Sequence, residues 1–281
     1  MMGVCSLALV ASFAVPPPGD SAPGGESPPV LRLAWDPASV PAVQDAPTDP
    51  PWSIQGQAET GQTREKILNS HNNLGLSRED LEQGLRFTDV HDLALLRVGF
   101  DIPLGGRTEF KLHAAGGAER IGTSVKAGAE NPVFGNPAGT TNTDFAFSLA
   151  PVWDAGAEFR LRFGDGSGDV AASFDARGGG DSDKDAAIDE HYHYERYRVG
   201  LFAGWTFGVF RPYAGAHLSY YRARFEVTEL GSGANVQFRL GYKDELNAAV
   251  GVTLSSGTVV GAVEVEFVGT ITVLASAGVR F

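Results

Sequence analysis

Sulfur is nearly absent: the 281 residues hold one cysteine, Cys5, and two methionines. One thiol makes no intrachain disulfide and no cysteine-based metal cluster. Long apolar runs are missing too. No stretch approaches the roughly 18 consecutive apolar residues of a transmembrane helix, which excludes a helical span. A spanning β-barrel stays open, because barrels cross with alternating strands. Basic residues are outnumbered 22 to 34, for a net charge of −12. That balance argues against nucleic acid, and against anionic membrane surfaces, as electrostatic partners. Proline is scarce beyond residue 51, because 11 of the 16 lie between residues 15 and 51.

Those prolines define the first part of the chain. Residues 1–14, "MMGVCSLALVASFA", carry a short apolar stretch ending in the small-x-small pattern Ser12-Phe13-Ala14. This predicts a cleaved signal peptide, although no Lys or Arg precedes the apolar run. Residues 15–51, with "VPPPGDSAPGGESPPV" and "PTDPP", read as an extended, disordered proline-rich segment. Residues 62–86 are polar and read as a loop with helical turns.

From residue 87 onward a period of two dominates, the signature of strands with unlike faces. Leu96, Val98, Phe100 and Ile102 alternate with Arg97, Gly99 and Asp101. Phe159, Leu161 and Phe163 alternate with Glu158, Arg160 and Arg162. Val263, Val265 and Phe267 alternate with Glu264 and Glu266. Tight turns are predicted at 104–106, 154–156, 208–211 and 256–257, with longer loops at 122–143, 165–195 and 229–235. The 154–156 turn would pair Phe147 with Phe163. The 208–211 turn would pair Trp205 with Ala214, and the 256–257 turn Leu254 with Val259. A turn at 268–270 pairs Val265 with Val273. At Tyr220-Tyr221-Arg222 the apolar residues change parity, which predicts a β-bulge.

Such a pattern suits an apolar face against lipid or against a dry core. Three features favour lipid. Strand charges fall on the non-apolar face. Aromatics gather toward both ends, with Phe100, Trp153, Trp205, Phe207 and Phe281 near short turns and Phe145, Phe163, Tyr197, Tyr220 and Phe267 near long loops. Strand lengths match a tilted crossing. "WSIQGQAE" (52–59) supplies a tenth strand, and eight strands are the alternative. The predicted fold is all-β: an up-and-down antiparallel transmembrane barrel over residues 52–281, with short periplasmic turns and long extracellular loops.

The segments "LALLRVGFDIPL", "RVGLFAGWTFGVFRPYAGAHLSYY" and "TITVLASAGVRF" resemble the small outer-membrane β-barrel proteins of Gram-negative bacteria, the OmpA-like and OmpX-like barrel superfamily. The resemblance implies residence in the outer membrane. It also implies partners: outer-membrane lipid with lipopolysaccharide, and the barrel-assembly machinery, which reads a terminal aromatic such as Phe281. It carries no catalytic motif and no cofactor.

Candidate chemistry starts with the inward charges Arg97, Asp101, Glu109, Lys111, His113, Glu158, Arg160, Arg162, Arg198, Glu264, Glu266 and Arg280. Buried ions need partners, so these predict an ion-pair network filling the lumen. The function that follows is structural and envelope-associated, with a narrow porin-like channel for small solutes as the alternative. Asp181, Asp183 and Asp185 have carboxylate spacing for calcium, and His191 and His193 have spacing for a transition metal. The EF-hand pattern fails at Ala186 and Tyr192, so no metal is expected, and the segment reads as a solvated acidic loop. Its acids also invite divalent cations that bridge lipopolysaccharide phosphates. An outer-membrane enzyme acting on lipid or peptide is the minor alternative. His113, His217, Ser148 and Ser219 are inward by parity, but no nucleophile-elbow motif frames either serine.

Overall fold

The structure, a computed structural model, describes residues 52–134, 141–184, 187–242 and 245–281. The expected signal peptide and proline-rich segment lie outside the described residues. The described chain runs β1 (Trp52–Asn72), α1 (Arg78–Glu82), β2 (Arg86–Gly105), β3 (Thr108–Ala127), β4 (Thr141–Phe163), β5 (Gly168–Lys184) and β6 (Ile188–Trp205). It continues with β7 (Phe210–Glu229), β8 (Asn235–Tyr242), β9 (Leu246–Ser256), β10 (Val259–Phe267) and β11 (Thr270–Arg280). No described helix is long and apolar enough to cross a membrane.

Ten strands close a ring in the order β1-β2-β3-β4-β5-β6-β7-β9-β10-β11, every neighbour antiparallel. Closure is made by β11 against β1, from Ser53↔Arg280 to Thr63↔Thr270. β8 stands apart from this ring. It pairs with β7 over Ala223–Thr228 and with β1 over Glu65–Asn72, beyond the ends of β9, β10 and β11. Those three strands therefore belong to one end of the barrel, and β8 replaces them at the other.

The tight turns lie at one end together with both Trp52 and Phe281. Gly106-Arg107, Gly208-Val209 and Gly257-Thr258 each link strands whose flanking residues pair directly. In the 164–167 turn the Ser167 hydroxyl and N–H donate to Asp165, holding its carboxyl below the usual range. The terminal hairpin has the expected register, Val265↔Val273. Its turn places Val268 at φ 104°, a conformation costly for a β-branched residue. Asn247, buried on neighbouring β9, holds that turn by accepting the Gly269 and Thr270 N–H groups at 3.0 and 2.9 Å.

Several turn and loop expectations are corrected. Asp154-Ala155-Gly156 is no turn: β4 runs straight through it, with Ala155 paired to Ala114 and Ala176. Gly156 mimics a turn signal, but it is there because the His113 ring and Asp175 crowd the spot. A Cβ would lie 2.5 Å from His113 and 2.7 Å from Asp175. The expected loop at 165–195 is mostly β5 and the start of β6; Gly and Asp are abundant there because they face the lumen or pack under neighbours. The 62–86 and 122–143 loops shrink likewise, since β1 and β3 continue to Asn72 and Ala127. The long connections are thus largely strand. At 208–211 and 256–257 the register shifts by two, giving Ala203↔Ala214 and Gly261↔Leu254 with parity preserved.

The aromatic ends change with the turns. Phe163 borders the 164–167 turn and meets Trp205 at 6.1 Å, so it belongs to the tight-turn end with Trp52 and Phe100, 4.5 Å apart. Trp153, ten residues up β4, belongs with Tyr197 and Tyr220, whose rings are 6.5 Å apart. Phe145 points inward and is buried, because a register shift between Arg120 and Gly122 flips the parity of β4.

Between these girdles the outward face is largely apolar and its large side chains are uncovered; the exposed charges Asp92 on β2 and Arg120 on β3, directly opposite each other, border it. Leu149 is 68% exposed, Ile271 66% and Leu201 65%, while inward Asp154 and Glu266 are 2% and 3% exposed. Trp205, Leu161 and Val265 lie on this outer face, and Arg160 and Glu264 line the interior. A contiguous apolar band of this extent on a closed barrel fits hydrocarbon, not water.

Beyond the band the two faces exchange character. No bulge occurs at Tyr220-Tyr221-Arg222, since β6 and β7 keep one register from Ile188↔Glu229 to Gly204↔Tyr213. Tyr221, Ala223 and Phe225 stay inward, where they are buried, and Arg222 and Arg224 face out. The parity change in sequence marks a change of medium, not a change of face. Below it apolar residues meet lipid; above it they pack a core and the polar face meets water.

Candidate functional site

The lumen is stratified along its axis. At the tight-turn end lies a vestibule of about 480 Å³, bordered by turn residues Gly166, Thr206, Gly208 and Val209. Eleven of the twelve expected lumen charges line it, and Glu266 stands beside them in contact with Arg198. Lys111 lies 3.6 Å from both Asp101 and Glu109, and Arg280 reaches Asp101 at 3.9 Å. Arg160 meets Glu158 at 2.6 Å and Glu109 at 3.9 Å, and Arg162 meets Glu109 at 3.4 Å. Tyr213 donates to Glu264 at 2.6 Å. Arg198 joins Asp175 at 3.8 Å.

Above the vestibule one guanidinium spans the lumen. Arg177 on β5 forks onto both oxygens of Glu59 on β1 at 2.9 Å each, and its Nε donates to Asp154 on β4 at 3.2 Å. Asp154 also accepts from Arg97 at 3.1 Å and contacts His113 at 3.1 Å. Glu59 is further faced by His91 at 3.3 Å and Arg196 at 3.6 Å. The side chains of Arg177, Glu59 and Asp154 are 1–2% exposed. Bidentate Arg–carboxylate geometry is among the strongest of charge-assisted contacts, and here it ties opposite walls together.

Next comes a layer of phenols and acids. Tyr194 donates to Glu119, Tyr192 donates to Asp89, and Tyr221 donates to Asp89 at 3.3 Å. Tyr221 stacks on Tyr242 at 4.5 Å. A dry aromatic layer follows. Phe87, Phe225 and Phe238 are fully or almost fully buried, with Phe87 5.0 Å from Phe238 and Phe145 5.0 Å from Phe225.

A lid finishes the far end. Leu81 of α1 is buried in the aromatic layer, and Phe134 packs at 6.0 Å from Phe238. The helix starts at Ser77, whose hydroxyl accepts the Asp80 N–H at 3.1 Å. Asn131 clamps the lid: its amide donates to the Leu81 and Gln83 carbonyls at 3.0 Å, and its oxygen accepts the Val133 and Phe134 N–H groups.

Sequence reasoning missed part of this network. Asp154 falls within the expected 154–156 turn, and Asp169, Asp175 and Arg177 within the expected 165–195 loop. Arg211, which donates to Asp169 at 2.6 Å, falls within the expected 208–211 turn. The signal for β5 was present in Val170, Ala172, Phe174 and Ala176 alternating with Asp169, Ser173, Asp175 and Arg177.

The other candidates are dispersed. Asp181 sits opposite inward Tyr192, while His191 and His193 project from the outer face, so the acid and the histidines do not converge. His191 pairs with Asp189 at 3.2 Å. Asp185 lies outside the described residues, as does the side chain of Asp183. Among the described residues no group of three or more His, Cys, Asp or Glu has metal-holding geometry. Ser219 accepts from Asn247 at 3.5 Å, and His217 faces Glu266 at 3.7 Å. No hydrogen bond joins Ser219 to either histidine among the described residues.

No family model matches the chain, and no curated protein matches it either. Solved structures do. The outer membrane protease OmpT from Escherichia coli superposes with a TM-score of 0.53 at 11% identity, over 83% of this chain and 96% of that one. The transport unit of the Escherichia coli autotransporter AIDA-I gives 0.42 at 12% identity, over 87% and 94%. The Pseudomonas putida toluene transporter TodX gives 0.35 at 9% identity, over 84% and 90%. At 11% identity the likeness to OmpT speaks for the fold alone, and with the lipid-facing band it gives the chain the fold of an outer-membrane β-barrel.

Proposed function

We propose that the chain is a closed, structural barrel of the outer-membrane envelope, not a conduit. The observation that carries this reading is the Arg177 bridge between Glu59 and Asp154, seated under a dry aromatic layer and a lid. A solute entering the vestibule would have to break a buried ion cluster held by the Arg177 fork and then part an apolar core. Each step costs several kcal/mol. The OmpA-like and OmpX-like affiliation belongs to this proposal, resting on the alternating strands of the membrane band.

The vestibule is the one feature that favours the narrow-channel alternative, since it admits water at one end. Planar-bilayer recording of the full, refolded chain separates the two. The expected trace is silent, with no discrete conductance steps; stable unitary steps proportional to salt concentration would overturn the closed reading.

A further inference from the structure

The layer of phenols and acids is short of positive charge. Glu65 on β1 and Asp89 on β2 point inward there, in the part of the barrel that β8 encloses by pairing Tyr242 with Glu65. Thr63 and Thr123 stand directly opposite Asp89 on β1 and β3. Glu65 follows Thr63 on the same face, diagonal to Asp89 and within reach of it. From β6 and β7 come Tyr192 and Tyr221, whose hydroxyls both donate to the Oδ2 oxygen of Asp89. Arg177 and Arg196 are directed at Glu59 instead, at 2.9 and 3.6 Å.

Both oxygens of Glu65, the Oδ1 of Asp89 and the Thr123 hydroxyl oxygen have no hydrogen-bond partner, although the three residues are only 7%, 4% and 1% exposed. Neither carboxylate forms an ion pair among the described residues. Burial, and then the charge of Asp89, push the Glu65 carboxyl well above its usual range. A buried charge without a partner is costly, so a compensating positive charge belongs in this layer. The donor set defines its kind. Four carboxylate oxygens, two phenol oxygens and one hydroxyl oxygen, with no nitrogen or sulfur, suit a hard cation. Two negative charges call for a divalent ion. Magnesium demands octahedral geometry and keeps several waters, which a closed layer under aromatic rings does not offer. Calcium accepts about six to eight oxygens in flexible geometry.

We propose that this layer binds one calcium ion, held by Glu65 and Asp89, with Thr123, Tyr192 and Tyr221 completing the oxygen shell. Two acids suffice because hydroxyls supply the remaining ligands. The ion ties β1, β2 and β3 to β6 and β7 directly beneath the dry aromatic layer. It is separate from the 181–193 segment, whose acids and histidines do not converge.

The test refolds the full chain in detergent with calcium chloride, with magnesium chloride or with a chelator, desalts it, and measures retained metal by plasma emission together with the urea midpoint. One calcium per chain should be retained, at least about tenfold more than magnesium, and the calcium-loaded barrel should have the higher midpoint. Glu65→Gln keeps the side-chain shape but removes a charge, and should lower retained calcium by at least about tenfold. Tyr192→Phe should lower it less, and Glu229→Gln, exposed at the end of β7, should leave it unchanged. Heat-modifiable gel migration confirms that each variant is folded. Calcium lost from wild type on desalting, or retained equally by Glu65→Gln, would overturn the proposal. So would a midpoint that ignores calcium yet rises as pH falls from about 7.5 to 5.5 in wild type but not in Glu65→Gln, because the two carboxyls would then share a proton in place of the metal.

Discussion

Replacing Arg177 with methionine is expected to destabilise the barrel by about 3–5 kcal/mol, the usual consequence of stranding one member of a buried ion pair. The loss comes from Glu59. With Arg177 present, both Glu59 oxygens are held at 2.9 Å in a lumen layer closed to solvent. Without it, a carboxylate that is 1% exposed keeps only His91 at 3.3 Å and Arg196 at 3.6 Å. Asp154 suffers less, because Arg97 and His113 remain at 3.1 Å. The double variant Glu59→Leu with Arg177→Met should recover most of the loss, since both desolvation penalties leave together. Urea unfolding of the barrel refolded into lipid vesicles, followed by gel migration, measures both. A single variant within about 0.5 kcal/mol of wild type would mean that water reaches the cluster.

The second large effect lies outside the membrane. Phe238→Ala should cost about 3–5 kcal/mol, the range for emptying a packed aromatic site. Phe238 is wholly buried on β8, with the Phe87 and Phe134 rings 5.0 and 6.0 Å away. Its neighbour Gln237 faces outward, and alanine there should change stability by about 0.5 kcal/mol or less. The distinguishing signature is the medium: the Phe238→Ala loss should be alike in detergent micelles and in lipid, because the cavity opens in a water-surrounded part of the barrel. Faster proteolytic nicking between β7 and β9 should accompany it. A loss below about 1 kcal/mol would remove the apolar core from the account.

How legible was this molecule? Along the membrane-spanning half, nearly every face was, because lipid outside and ions inside leave an alternation that needs no tertiary knowledge. Leu96, Val98 and Phe100 stand outward opposite Arg97 and Asp101, and Val265 pairs with Val273 as its period implies. The failures share two physical causes. Glycine and aspartate signal turns when isolated, but here Gly156 makes room for His113 and Asp175, and Asp175 holds lumen cations. That confusion split β4 and concealed β5 together with Arg177. The other cause is that a period of two identifies shared faces without naming the medium on either side. At Tyr221 the pattern inverts because the strand leaves the bilayer, and a bulge was the only local device available to explain it.

The claim on which the account turns is that the outer surface changes from hydrocarbon to water between Tyr220 and Arg222 while the strand keeps its register. Spin labels placed one at a time at outward positions 214, 216, 218, 222, 224 and 226 of β7, with Cys5 replaced by serine and the barrel in lipid vesicles, read this directly. Collision rates with oxygen should dominate at 214–218, and rates with a water-soluble nickel chelate should dominate at 222–226. Nickel accessibility along the whole series, or a dry, collision-free environment at 214–218, would contradict it.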